Sequence, residues 1–231
     1  KLNGEEIDIA STRNETYPQK GHLPQVKDIG CSLKEDILRR DFTINALAKS
    51  TLTGEIIDYI NGLKDIKNKK LRVLHDNSFI DDPTRIIRAL KFAVRFGFEL
   101  DSHTQKLQDN YLQNINYDMS YKRLKKELVE TFNLNSTTAF ERFINQKIYK
   151  LISPANFTLP KINFKKLINK YQPKIIWIIY IGLLPDISSL PLTKIEKKIV
   201  EDYKNLQNKV FNSDFQTYKN FKDINIESII M

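Results

Sequence analysis

Apolar residues recur at helical spacing through most of the chain, and one stretch shows it best. After Asp81-Asp82-Pro83-Thr84-Arg85, the residues Ile86, Ile87, Leu90, Ala93 and Val94 fall on one face of a helix. Pro83 suits the first helical position, where a missing N–H costs nothing, and Asp82 before it is a good N-cap. Gly97 closes the element as a C-terminal glycine should. Arg85, Arg88 and Lys91 recur every third residue and form a cationic stripe on the same helix. A buried face beside cations and a carboxylate could hold an anionic group with hydrogen-bonding edges. It could equally be a solvated basic face with an ordinary cap.

From Asp101 onward glycine nearly vanishes and the pattern stays helical. Tyr121–Phe132 sets Tyr121, Leu124, Leu128 and Phe132 on one face, with Lys122, Arg123, Lys125 and Lys126 largely on the others. Further helices are expected over Ala139–Ile152, Ile162–Tyr171, Ile175–Leu184 and Leu192–Phe211, with Pro154, Pro160, Pro173, Pro185 and Pro191 punctuating them. The first third reads differently. Glu6–Ala10 alternates as a short strand, with Asp8 on the face opposite Ile7 and Ile9. Such a carboxylate is either a metal ligand or an outward-facing charge. Thr12–Pro24 reads as a long loop. Ser32 and Glu35 form a capping box that predicts a helix from Leu33 through Arg39. Thr53-Gly54-Glu55 is a turn, Ile56–Tyr59 a short extended piece, Asn61-Gly62 a turn, and Asp65–Arg72 a lysine-rich connection. The fold class is therefore α+β: a few strands, then a mostly helical remainder.

Composition narrows the partners. The chain has 231 residues, with 41% hydrophobic and 28% charged, the balance of a globular protein rather than a disordered one. A net charge of +9 favours a polyanionic partner such as nucleic acid, although lysine-rich solubility would give the same excess. Basic residues recur across several helices rather than in one tail, which suits an extended groove for a phosphate backbone. A single cysteine, Cys31, excludes an intramolecular disulfide and fits the reducing cytoplasm. His22, His75 and His103 have no metal-ligand spacing. The longest apolar run, Ile175–Leu184, is too short for a bilayer, so no membrane partner is expected. The chain begins at Lys1 and runs at once into Glu6–Ala10, which suggests the downstream part of a longer protein.

Candidate chemistry gathers in Arg39-Arg40-Asp41-Phe42-Thr43-Ile44-Asn45-Ala46-Leu47-Ala48. Two arginines beside Asp41 and Asn45, hemmed by Phe42, Ile44 and Leu47, make a partly sheltered polar group. The arginine fork matches phosphate, and an ordinary Arg–Asp pair in a turn is the alternative. This segment resembles the RRDFTINA motif of the bacterial-type (class II) CCA-adding tRNA nucleotidyltransferases and their poly(A) polymerase relatives. Ile57-Asp58-Tyr59-Ile60-Asn61-Gly62-Leu63-Lys64-Asp65-Ile66 through Leu71-Arg72 is similar to the next motif of that family. Asp81-Asp82-Pro83-Thr84-Arg85 through Phe92 resembles its EDxxR motif. Order and spacing agree, and the likeness covers about residues 1–135, where Tyr121–Phe132 resembles a later basic helix.

The resemblance implies an enzyme that adds C and A to the 3′ end of tRNA from CTP and ATP, releasing pyrophosphate. A poly(A) polymerase, or a non-catalytic fragment that binds tRNA or nucleotide, is the alternative. It implies a nucleotidyltransferase palm remnant over 1–72, a helical neck over 73–135, and a helical body and tail over 136–231. It assigns Arg40 to phosphate or ribose, Asp82 and Arg85 to the Watson–Crick edge, and Arg88 and Lys91 to holding the nucleotide. Arg39, Asp41 and Asn45 support them. Lys91 stands where many relatives carry arginine; it keeps the charge and loses the fork. The family holds two Mg²⁺ ions on a DxD pair after a Gly-Gly loop. No DxD occurs near the start of this chain and no Gly-Gly anywhere. Asp8 matches the family's third carboxylate. This chain alone is therefore expected to bind CTP or ATP weakly and to incorporate neither.

Overall fold

A computed structural model describes residues 4, 6–115, 118–207 and 209–231. Its strands are few and short. β1 (Arg13–Thr16) and β2 (Gln25–Ile29) form an antiparallel hairpin with an irregularity between Asn14 and Glu15. Two smaller pairs follow. β3 (Ala48–Lys49) runs antiparallel to β4 (Ile56–Ile57), and β5 (Lys70–Leu71) runs parallel to β6 (Glu99–Leu100). With mostly helix around them, the fold is α+β, as expected.

Two readings of the first third need correction. Glu6–Ala10 is not a strand. Ile7 and Ile9 are exposed at 52% and 95%, so the alternation has no core to pack on, and no described strand runs beside it. The strand lies further on, inside the expected loop 12–24, where Arg13–Thr16 pairs with β2. Asn61-Gly62 also does more than turn. Asn61 is left-handed at φ 63° and opens α2 (Gly62–Lys67). The Asp58 carboxylate caps that helix, accepting from the N–H groups of Ile60, Gly62 and Leu63 at 2.9 to 3.1 Å. A side chain at Gly62 would meet the Thr43 carbonyl at 2.4 Å, so only glycine permits this approach.

The expected helices stand with shifted ends. α1 (Leu33–Leu38) starts on a complete Ser32–Glu35 capping box. α3 (Ser78–Asp81) leads into α4 (Thr84–Phe96). Pro83 has helical dihedrals at the start of α4, and the Asp82 carboxylate caps it by accepting from the Thr84 N–H at 3.1 Å. Gly97, at φ 68°, ends it. α5 (Ser102–Gln113), α6 (Tyr121–Leu134) and α7 (Ser136–Asn145) follow. The helix expected over Ala139–Ile152 breaks after α7 into a 3₁₀ turn at Ile148–Leu151. α8 (Phe164–Tyr171), α9 (Ile176–Ile181), α10 (Lys194–Leu206), α11 (Asp214–Phe221) and α12 (Ile226–Ile230) complete the chain. Asn208, within the helix expected over Leu192–Phe211, lies outside the described residues.

The core begins where the site begins. Ile86, Ile87, Ala89, Leu90 and Ala93 of α4 are buried against Leu124 and Leu128 of α6 and the Phe42 ring, which meets Phe92 edge-on at 5.8 Å. Farther along, Phe132, Phe140, Phe164 and Tyr180 form an aromatic centre, with Phe140 and Tyr180 only 4.8 Å apart. The buried residues of this one core run from Phe42 to Met231, so α4 has a rigid wall behind it.

Candidate functional site

Arginines and carboxylates from four separate segments meet in one open cleft of about 580 Å³. Arg13, Glu15 and Tyr17 come from the hairpin, and Leu23 and Pro24 from its connection. Arg39, Arg40, Asp41 and Asn45 come from the turn after α1. Asp82, Arg85 and Arg88 come from the mouth of α4, and Arg123 and Glu127 from α6. Six arginines face four carboxylates, so the cleft keeps a positive excess suited to an anionic ligand. Every residue expected from the Arg39–Asn45 segment is here, together with Asp82, Arg85 and Arg88.

Two expected residues are placed elsewhere. Lys91 lies one turn beyond Arg88 and does not line the cleft, because Glu127 and Glu130 of α6 draw its ammonium away at 2.5 and 2.8 Å. Asp8 stands exposed ahead of the hairpin and is not part of the lining. A metal would find little here: among the described residues, no group of three or more His, Cys, Asp or Glu side chains is placed to hold one. The described residues therefore do not fit the implied Mg²⁺ by themselves.

The two arginines after α1 are anchored by a residue that sequence reading passed over. Asp36 is buried and accepts from Arg39 Nη2 at 2.7 Å, from Arg40 Nη2 at 3.0 Å and from the Arg13 N–H at 3.1 Å. Burial pushes its carboxyl up, but the Arg39 and Arg40 donors outweigh that and hold it at about 2. The spacing of Asp36 three and four residues before the arginines was the available signal. Arg40 remains 43% exposed, which leaves most of its fork free for a ligand. Asp41 faces the other way: it accepts from Arg88 Nε at 2.7 Å and from Asn45 Nδ2 at 3.1 Å. Burial works against the charge of Arg88, and Asp41 and Glu127 more than restore it.

The pair at the mouth of α4 is buried, Asp82 at 4% and Arg85 at 3%, with open space beside it. Arg85 is aimed by four protein acceptors. Nη1 donates to Ser78 Oγ at 2.7 Å and to His75 Nε2 at 3.4 Å; Nη2 donates to Tyr17 Oη at 2.9 Å and to the Arg39 carbonyl at 3.3 Å. A guanidinium has five N–H groups, and these four bonds use the four on Nη1 and Nη2. Burial raises the Tyr17 hydroxyl despite the Arg85 charge, so it stays protonated. Asp82 is gripped by Arg123, whose Nη2 and Nη1 reach it at 2.6 and 3.1 Å. Tyr17 and Arg123 were missed because neither stands in a pattern that links it to residues 68 and 41 positions away.

A basic cleft built from an arginine-pair turn and a carboxylate–arginine helix mouth, in an α+β frame, suits an anionic ligand with hydrogen-bonding edges. Residues 1–72 match the model of the Poly A polymerase head domain. An A-adding tRNA nucleotidyltransferase of Aquifex aeolicus is 51% identical over 110 residues, covering 46% of this chain and 13% of that protein. A CCA-adding enzyme of Lactobacillus helveticus is 34% identical over 149 residues, covering 63% of this chain and 37% of that protein. The chain thus spans well under half the length of these relatives. Among solved structures, a CCA-adding enzyme in apo form shares the fold over 97% of this chain and 59% of its own, with a TM-score of 0.80 and 24% identity. A CCA-adding enzyme in complex with CTP matches 86% of this chain and 55% of its own, with a TM-score of 0.67 and 26% identity. Over its first 72 residues the chain resembles the Poly A polymerase head domain, and over about half its length it is similar to A-adding and CCA-adding tRNA nucleotidyltransferases of bacteria.

Proposed function

We propose that this chain is the nucleotide-selecting part of a cytoplasmic enzyme that adds C and A to the 3′ end of tRNA from CTP and ATP. The observation that carries this reading is the meeting of Arg40, Asp82 and Arg85 in one cleft with room for a nucleotide. In the reaction the tRNA 3′-hydroxyl attacks the α-phosphate and pyrophosphate leaves. Arg40, half free, takes the triphosphate or ribose of any nucleotide. Asp82 accepts from the exocyclic amino group that C and A share, and Arg85 donates to a ring nitrogen or carbonyl. U and G present a carbonyl in place of that amino group. Arg88, with Asp41, Arg39 and Asn45, keeps the arginine turn registered against α4. Residues 1–72 serve as head, 73–135 as neck, and 136–231 as the tRNA-facing body and tail. The family's divalent ion is assigned to Mg²⁺, with Asp8 as a candidate carboxylate, and no role above depends on it.

A second reading is favoured by one observation: the relatives at 51% and 44% identity are both A-adding. It replaces CTP and ATP by ATP alone. Calorimetric titration with the four nucleoside triphosphates separates the readings. CTP and ATP are expected to bind at least about tenfold tighter than UTP and GTP, a difference of about 1.4 kcal/mol, and Asp82→Ala should erase the gap. ATP binding without CTP supports the second reading. Equal affinity for all four overturns the assignment of Asp82 and Arg85.

A further inference from the structure

We infer that Arg123, on α6, is a positioning residue that sets Asp82 to discriminate amino from carbonyl groups on the incoming base. The inference rests on the reading of the cleft given above. Asp82 Oδ1 is fully used: it accepts from the Thr84 N–H at 3.1 Å, from Thr84 Oγ1 at 2.6 Å and from Arg123 Nη1 at 3.1 Å. Oδ2 accepts from Arg123 Nη2 at 2.6 Å and keeps a further acceptor direction. The oxygen that caps the helix is thus not the oxygen that reads the base. Oδ2 reads, and the two-pronged guanidinium fixes where it points.

A carboxylate only accepts, so Oδ2 welcomes the amino group of C or A and rejects the carbonyl of U or G. Asp82 is only 4% exposed, and the Arg123 guanidinium both offsets the cost of burying its charge and holds that charge in one place. The fork is held in place from its far side, where Nη1 also donates to the His22 carbonyl at 3.3 Å. Neighbouring cations on α6 serve other ends. Lys125 turns to Glu196 of α10 at 2.6 Å and to the Pro191 carbonyl at 3.0 Å. Of the four basic residues at the start of α6, Arg123 is the one that lines the cleft.

The test is CTP and UTP affinity measured by calorimetry on the full chain, for wild type, Arg123→Lys and Arg123→Gln, with thermal melts alongside. Arg123→Gln should lose about tenfold of the CTP-over-UTP preference, as expected for one bidentate contact. Arg123→Lys, which keeps the charge without the fork, should lose less. A residue that merely braced the fold would lower the melting temperature and leave the ratio unchanged; that outcome overturns the inference. If Arg123→Gln does not fold, a wild-type ratio in Arg123→Lys with a lost ratio in Asp82→Asn points to charge alone and overturns the role of the fork. A wild type that prefers neither CTP over UTP nor ATP over GTP defeats the reading of the cleft itself, whatever the variants do; one that prefers only ATP over GTP moves the same test to that pair.

Discussion

Arg85 depends on His75 for more than a contact. An arginine can only donate, so the His75 Nε2 at 3.4 Å must offer a lone pair, which requires a neutral ring carrying its proton on Nδ1. Burial lowers the affinity of this ring for a proton, and the Arg85 charge lowers it further; Asp81 and Asp76 beside it pull the other way without prevailing. The folded ring therefore titrates below its ordinary value of 6.5. Its neutral form contributes stability in full above that value, and the contribution is lost as pH falls through the folded value. Protonation would set two cations against each other beside the base-reading position. CTP affinity is expected to fall across the same pH range in which the His75 ring signals titrate by NMR. His75→Gln, which offers an acceptor at every pH, should flatten that step. A wild-type affinity indifferent to His75 protonation would show that Arg85 is aimed by Ser78 and Tyr17 alone. Nothing around His75 in the sequence announces this role. For Asp82 and Arg85, by contrast, spacing and capping chemistry placed both at a helix start, while their proposed role at the base came only from the resemblance.

At the scale of elements, what could be read was what neighbours in sequence determine. The capping box of α1 and the glycine stop of α4 are local, and both stand where the spacing put them. The β1–β2 hairpin is not local. Its connection is long, its strands carry no clean alternation, and β2 is exposed along its whole length, so no buried face marked it. Asp36 ties that hairpin to α1 through the Arg13 N–H, and ties both to the cleft through Arg39 and Arg40. A carboxyl lowered from 3.8 to about 2 corresponds to about 2 kcal/mol of preference for the ionised native form. Because the folded value is depressed, that stability is present above the unfolded value and is lost as pH falls from about 4 to about 2. Asp36→Ala is expected to cost about that much at neutral pH, read by urea unfolding, and to remove the matching part of the acid dependence. It should also weaken all nucleoside triphosphates together, since Arg40 loses its anchor while Asp82 and Arg85 keep theirs. Unchanged stability would mean that Glu15, which also accepts from Arg39 at 3.0 Å, carries the junction.

Over the whole molecule, stability is divided unevenly. Between Arg13 and Ile29 the hairpin and its connection bury no large apolar side chain, while the core behind α4 continues without a break to Met231. A region with few buried apolar contacts opens at low free-energy cost, and a densely packed one opens only with the whole structure. Amide exchange should therefore be fast along β1 and β2 and slowest in α4, α6, α7 and α9. The cleft sits on this boundary: one wall is the rigid mouth of α4 and the other is the hairpin that carries Arg13, Glu15 and Tyr17. A nucleotide bridging the two walls would have to order the hairpin, so CTP should slow exchange at β1 far more than in α6 or α9. Tyr180→Ala provides the converse. Tyr180 is fully buried and touches Phe132, Phe140 and Phe164. Its loss should cost about 3 to 5 kcal/mol and speed exchange through the whole helical core, yet leave β1 and β2 as fast as before. Equal acceleration in the hairpin would mean that it unfolds with the core and not ahead of it. The wall that selects the base and the wall that closes on it would then be one cooperative unit.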